Sequence, residues 1–189
     1  AYLKAAEINP YSPVLYNNLG YAQFKQEKFQ EADRNYQRSI ELDPNYALPY
    51  NNLGLMMLRR DRLDSAMTLF HTAAKKVDTA VEKPKNIAQI WLNMGEAYEK
   101  LGHIDSAAAA YMKATEAAPM WGEAYFQGAA FFARIEQYQI TDTLYVRGMK
   151  VHDMDASDYF NWGLSLVERR RFSQGVNVLR RGLKRDETM

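Results

Sequence analysis

Residues 14–20 read VLYNNLG, and residues 48–54 read LPYNNLG. The pentapeptide Tyr-Asn-Asn-Leu-Gly therefore returns after 34 positions, from Tyr16 to Tyr50 and from Gly20 to Gly54. A fixed interval of a few tens of residues marks an architecture of stacked repeats, and it can be followed along the rest of the chain. After seven additional residues the small residue recurs as Gly95, then as Ala129 and Gly163 at the original interval. Four positions before each small residue stands an aromatic: Tyr16, Tyr50, Trp91, Tyr125 and Tyr159. Twelve positions after it the chain is small again at Ala32, Ala66, Ala107, Thr141 and Gly175. Four further on come Tyr36, Phe70, Tyr111, Tyr145 and Leu179, then the small Ser39, Ala73, Ala114, Gly148 and Gly182.

These offsets describe two helices. An aromatic followed at +3, +4 and +7 by apolar and small residues forms one helical stripe. Small, large at +4 and small at +7 forms the stripe of a second helix. Small residues let the two helices approach closely, with the large ones filling the space above and below. Between the stripes lie turn-compatible stretches such as Gln26-Glu27-Lys28, Arg60-Asp61-Arg62 and Leu101-Gly102-His103. Each unit is a helix–turn–helix hairpin.

The pattern of aromatic, Leu-Gly, Tyr, Ala, Phe, Ala and Pro resembles the tetratricopeptide repeat. Five full repeats fit, at residues 13–46, 47–80, 88–121, 122–155 and 156–189, with Pro44 and Pro119 in the closing position of two of them. Residues 1–12 fit the second helix of a preceding repeat through Tyr2, Ala5 and Pro10. The chain opens without Met, and its ends are expected to be cuts within a longer array that lacks its capping helix. The resemblance implies an all-α, right-handed solenoid of stacked hairpins. Repeat four departs with Gly128 and Thr141, and repeat five with Trp162 in place of Leu. The remaining segment, residues 81–87, reads as an inserted loop. Pro84 is expected to stop the preceding helix, which the composition of Phe70 to Val81 predicts to be longer than its counterparts.

Asn18, Asn52, Asn93 and Asn161 each stand two residues before the small residue, and Gln127 takes that place in repeat four. Asn is a mediocre helix former, so packing alone does not explain carboxamides in register. A carboxamide both donates and accepts, so a row of them can pair with the backbone of an extended peptide. The resemblance places first helices along a concave groove, and the row is similar to the asparagine ladder of the O-GlcNAc transferase repeats and of armadillo-repeat peptide receptors. The other reading is that the amides bond neighbouring repeats and tie the array together. Asn17, Asn51, Phe126 and Phe160 precede the carboxamides, and Tyr21, Leu55 and Phe24 follow the small residue; these are the expected groove side chains. Glu96 and Glu99 add an acidic step at repeat three.

Other functions find little support. The two-carboxylate clamp by which some tetratricopeptide adaptors hold heat-shock chaperones needs Lys and Arg where this chain has Asn17, Gln89 and Asn93. The formal charge of +1 supplies no field for nucleic acid or membrane surface, and no apolar run has the length of a membrane span. Cysteine is absent, which excludes disulfides and thiolate chemistry. His71, His103 and His152 lack metal-ligand spacing, and no phosphate-cradling glycine loop occurs, so no cofactor, metal or catalytic group is expected. Arg169-Arg170-Arg171 fall in the turn of the last hairpin and read as a solvated face. The expected function is a non-catalytic scaffold binding an extended segment of a protein partner. The alternatives are the substrate-selecting arm of an enzyme such as a glycosyltransferase, or a unit that self-associates end to end. The composition favours a soluble, cytoplasmic setting without fixing it.

Overall fold

The computed structural model describes residues 9–77 and 82–186. Among them every regular element is an α-helix. The chain divides into two compact units, Ala1–His103 and Ile104–Met189. The first holds α1 (Pro13–Lys25), α2 (Phe29–Leu42), α3 (Ala47–Arg59), α4 (Leu63–Lys76) and α5 (Pro84–Lys100). The second holds α6 (Ile104–Ala117), α7 (Gly122–Arg134), α8 (Tyr138–Met149), α9 (Ala156–Glu168) and α10 (Phe172–Asp186). Tyr2 and Ala5 lie outside the described residues.

Within the first unit α1 packs on α2 and α3 on α4, and the first helices α1, α3 and α5 also touch in succession. The repeat stripe explains the closeness of each hairpin. A Cβ added to Gly20 would lie 2.8 Å from the ring of Tyr36, and one added to Gly54 would lie 2.6 Å from Phe70. In the second unit a Cβ on Gly163 would lie 2.6 Å from Leu179. The large residue of the second helix thus sits directly on the glycine of the first, not above and below it as the spacing suggested. Tyr36 and Phe70 are fully buried there. Burying one such side chain contributes about 1.5–3 kcal/mol.

Helix starts follow local chemistry. Ser12 caps α1 by accepting from the Leu15 amide at 3.3 Å, with Pro13 in the first turn. Asp155 and Asp158 form a reciprocal capping box at α9. Pro84 opens α5, where a missing N–H costs nothing, and residues 84–87 lengthen that helix to 17 residues. The inserted segment is therefore partly helical. The helix before it is not extended: α4 ends at Lys76, Val77 is in extended conformation, and residues 78–81 are outside the described set.

The turn between the two helices of every repeat has one geometry. Glu27, Asp61, Gly102, Glu136 and Arg170 occupy the same repeat position, and all have positive φ, between 58° and 75°. Each sits in a Schellman motif. In the first, the Glu27 amide donates to Phe24 O at 3.0 Å and the Lys28 amide to Gln23 O at 2.9 Å. Gly102 meets this demand without strain, whereas the other four hold an L side chain in the left-handed region.

Candidate partner-binding faces

The first helices of the first unit carry the carboxamides, and the structure links them into a chain. Asn52 Nδ2 donates to Asn17 Oδ1 at 2.8 Å, joining α3 to α1. Asn93 Nδ2 donates to Asn51 Oδ1 at 2.9 Å, joining α5 to α3. Gln89 Nε2 extends the chain to Asn93 Oδ1 at 3.0 Å, and a longer contact of 3.4 Å connects Asn51 to Asn52. Asn17, Asn51 and Asn93 are buried at 3–5% exposure, and Asn52 is half-buried. In both interhelix links the carboxamide two positions before the small residue donates to the side chain three positions before it in the previous repeat. Asn18, in the first repeat, has no hydrogen bond among the described residues and is half-buried beside the exposed Tyr21. Phe24 packs edge-on against Phe29 with centroids 6.0 Å apart, in contact with the core of the first unit, and Leu55 is half-buried.

The second unit is built differently: the position that accepts in the first unit is filled by an apolar ring, Phe126, in repeat four. Gln127 is exposed and donates only to Glu123, one turn earlier on its own helix. Asn161 is exposed and has no hydrogen bond among the described residues. Phe126, an expected groove residue, is instead inside: it is 2% exposed, stacks near Tyr145 at 6.3 Å and covers Gly148. The missing Cβ at Gly148 makes room for that ring. Phe160 is 56% exposed but lies against α10, beside Leu179, Gly182 and Leu183 in an apolar cleft of about 390 Å³.

A larger cleft of about 720 Å³ opens between α7 and α9. Ala130 and Ala133 form one wall, and Asn161, Leu164 and Ser165 form the other. Ser165 is 2% exposed, and its hydroxyl has no hydrogen-bond partner. The small residues Ala130 and Ala133 on α7 create this space.

The basic turn has a structural role. Asp142 on α8 accepts from Trp162 Nε1 at 3.0 Å, pairs with Arg169 and pairs with Arg171 at 2.9 Å. Arg169 also lies over the Tyr138 ring, 5.2 Å from its centroid. Burial raises the Asp142 pKa, but the hydrogen bonds from Arg169 and Trp162 and the two guanidinium charges outweigh it and hold the carboxyl below its usual value. Trp162, the departure from Leu in repeat five, stacks on Tyr145 at 5.2 Å and supplies one of these donors. At the start of α9, burial, the Asp155 charge and the Glu123 charge push the Asp158 pKa up to about 7. No cluster of three metal-ligating side chains and no helix long and apolar enough to cross a membrane occurs among the described residues.

Comparison with known families agrees with the repeat pattern. Tetratricopeptide repeat profiles match residues 13–46, 88–119 and, in a shifted register, 35–68. No curated protein sequence matches the chain. Among solved structures, YrrB, a TPR protein with an unusual peptide-binding site, aligns over 97% of this chain and 91% of its own, with 18% identity and a TM-score of 0.64. The pilF protein of Pseudomonas aeruginosa aligns over 96% and 78%, with 16% identity and a TM-score of 0.74. MamA from Desulfovibrio magneticus RS-1 aligns over 94% and 96%, with 14% identity and a TM-score of 0.72. At these identities the likeness is one of fold.

Proposed function

The chain belongs to the tetratricopeptide repeat family, and from that premise we propose that it is a non-catalytic scaffold holding an extended segment of a partner protein against its first helices. Proteins of this fold serve protein–protein interaction, and YrrB shares the fold while having a peptide-binding site of its own. The observation that carries the proposal is the open carboxamide of Asn161 at the wall of the α7–α9 cleft. It can donate to and accept from a passing backbone, while Ala130 and Ala133 leave room for the chain to approach. Asn18 and Tyr21 offer a second such place on α1, and Gln127 a third if it releases Glu123. Asn17, Asn51, Asn52 and Asn93 support the first helices from within, leaving Leu55 and Phe24 as apolar neighbours.

The test is selection of binding peptides from a displayed library of random linear sequences, followed by anisotropy titration of the enriched peptide. Asn161→Ala is expected to weaken that peptide about tenfold, the loss of a backbone-directed amide pair in a desolvated site, with the far-ultraviolet circular dichroism unchanged. Equal binding by Asn161→Ala and by Asn18→Ala would remove the carboxamides from recognition.

The apolar cleft at α10 favours a second reading, self-association. Phe160, Leu183 and Val176 are 56%, 66% and 43% exposed. Sedimentation over a wide concentration range decides it: a constant monomer mass rejects this reading.

A further inference from the structure

We propose that the α7–α9 cleft is a subsite for a lysine or arginine side chain of the bound segment. This rests on the partner-segment reading above and deepens it. Besides its alanine wall and Asn161, the cleft is lined by Glu136 and Glu168. Both are exposed, and neither carboxylate has an ion pair or hydrogen bond among the described residues. Arg134 also lines the cleft and already has a partner of its own. Two carboxylates against one guanidinium leave the lining net negative.

Helix direction adds to it. The cleft residues on α7 run from Ala130 to Arg134, and those on α9 from Asn161 to Glu168, which is the last part of each helix. Both carbonyl ends point to the same region, and the carbonyl end of a helix attracts cations. Ser165 supplies the second, independent sign of a ligand. Its hydroxyl is buried, lines the cleft and lacks any partner, a state that native structures rarely leave unfilled. A hydroxyl oxygen accepts from an ammonium or guanidinium, so a cationic side chain would satisfy Ser165 while its charge meets Glu136 and Glu168. The alanine wall and Leu164 suit the methylene stem of such a side chain, which keeps its charged end toward the carboxylates.

The experiment uses three capped pentapeptides of alanine with lysine, norleucine or glutamate at the centre, titrated into the nitrogen-15-labelled protein and followed by amide chemical shifts. The lysine peptide is expected to give saturable shifts at Ala130, Ala133, Leu164 and Ser165, about tenfold tighter than norleucine, with the glutamate peptide inert. Glu136→Gln and Glu168→Gln should each reduce that preference severalfold, and Ser165→Ala should weaken lysine while sparing norleucine. Equal shifts from lysine and norleucine would overturn the cation subsite while leaving the partner-segment reading intact. No saturable shift at these amides with any peptide would overturn the subsite, and joined to failure of the library selection it would overturn both readings.

Discussion

The two units use the same repeat position for opposite ends. In the first unit Asn52 and Asn93 donate into the side chain of the preceding repeat, Asn93 buried and Asn52 half-buried. In the second unit the same position leaves Gln127 and Asn161 in solvent. The residue one place before the carboxamide differs: it is Asn17 and Asn51 in the first two repeats, and Phe126 and Phe160 in the second unit. A carboxamide on a first helix is thus tied to its neighbour where that neighbour can accept, and is left exposed at Asn161, where the corresponding residue is Phe126. The second unit holds its helices together with charge instead, through Asp142, Arg169 and Arg171.

The sharpest way to break this comparison is at Asn51. Asn51→Ala leaves Asn93 without its acceptor in a buried site, and a loss of about 3 kcal/mol in urea unfolding is expected. Asn161→Ala, at the exposed counterpart, should stay within about 0.5 kcal/mol. Comparable losses would show that both amides have the same role. Next is Asp142→Asn, which keeps an acceptor for Trp162 but strands Arg169, whose side chain is 12% exposed. The pair is partly solvated, so a loss of about 2 kcal/mol is expected, below the range for a fully buried pair. That loss should shrink as salt is added, whereas the Asn51→Ala loss should not.

Tyr36 and Tyr145 sharpen the comparison from the side that both units share. Their hydroxyls are buried without a partner, and burial pushes both pKa values up. Phe70 fills the same repeat position without a hydroxyl. Tyr36→Phe and Tyr145→Phe should each raise stability by about 1 kcal/mol in calorimetry; a fall would mean that each hydroxyl has a partner in solution. The strained turns are expected to respond weakly to glycine. Glu27→Gly and Arg170→Gly should gain about 0.5 kcal/mol, the relief of left-handed strain less the added freedom of the unfolded chain, and Gly102→Ala should lose about 1 kcal/mol. Thermal melts of the three variants check the order.

Much of the fold was legible because the small and large residues recur at fixed offsets, and steric contact such as Gly20 on Tyr36 depends on little else. The turn register was also written in the chain, at Gly102, but Glu27, Asp61, Glu136 and Arg170 hid it, since packing of the flanking helices overrides their preference. Pro84 was read as a stop when its place in the first turn makes it a start; proline fits both, and only the continuation of helix through Ile87 decides. The site was less legible. Asn17 and Asn51 looked like groove residues because periodicity gives a helix face but not the side chain opposite. Arg169 and Arg171 looked solvated because their partner, Asp142, lies in another helix. Phe126 looked available until Gly148, far along the chain, proved to be its seat.

The amide chain of the first unit has one more consequence. Tetratricopeptide repeats often behave as interchangeable modules, each needing only a neighbour of the same shape. Here Asn52 requires Asn17 behind it, and Asn93 requires Asn51. Repeats one, two and three are therefore a fixed word rather than three copies of a letter. A shuffled array that kept every hairpin intact but put repeat four behind repeat two would face the Asn52 donor with Phe126, and the same parts in another order would no longer join.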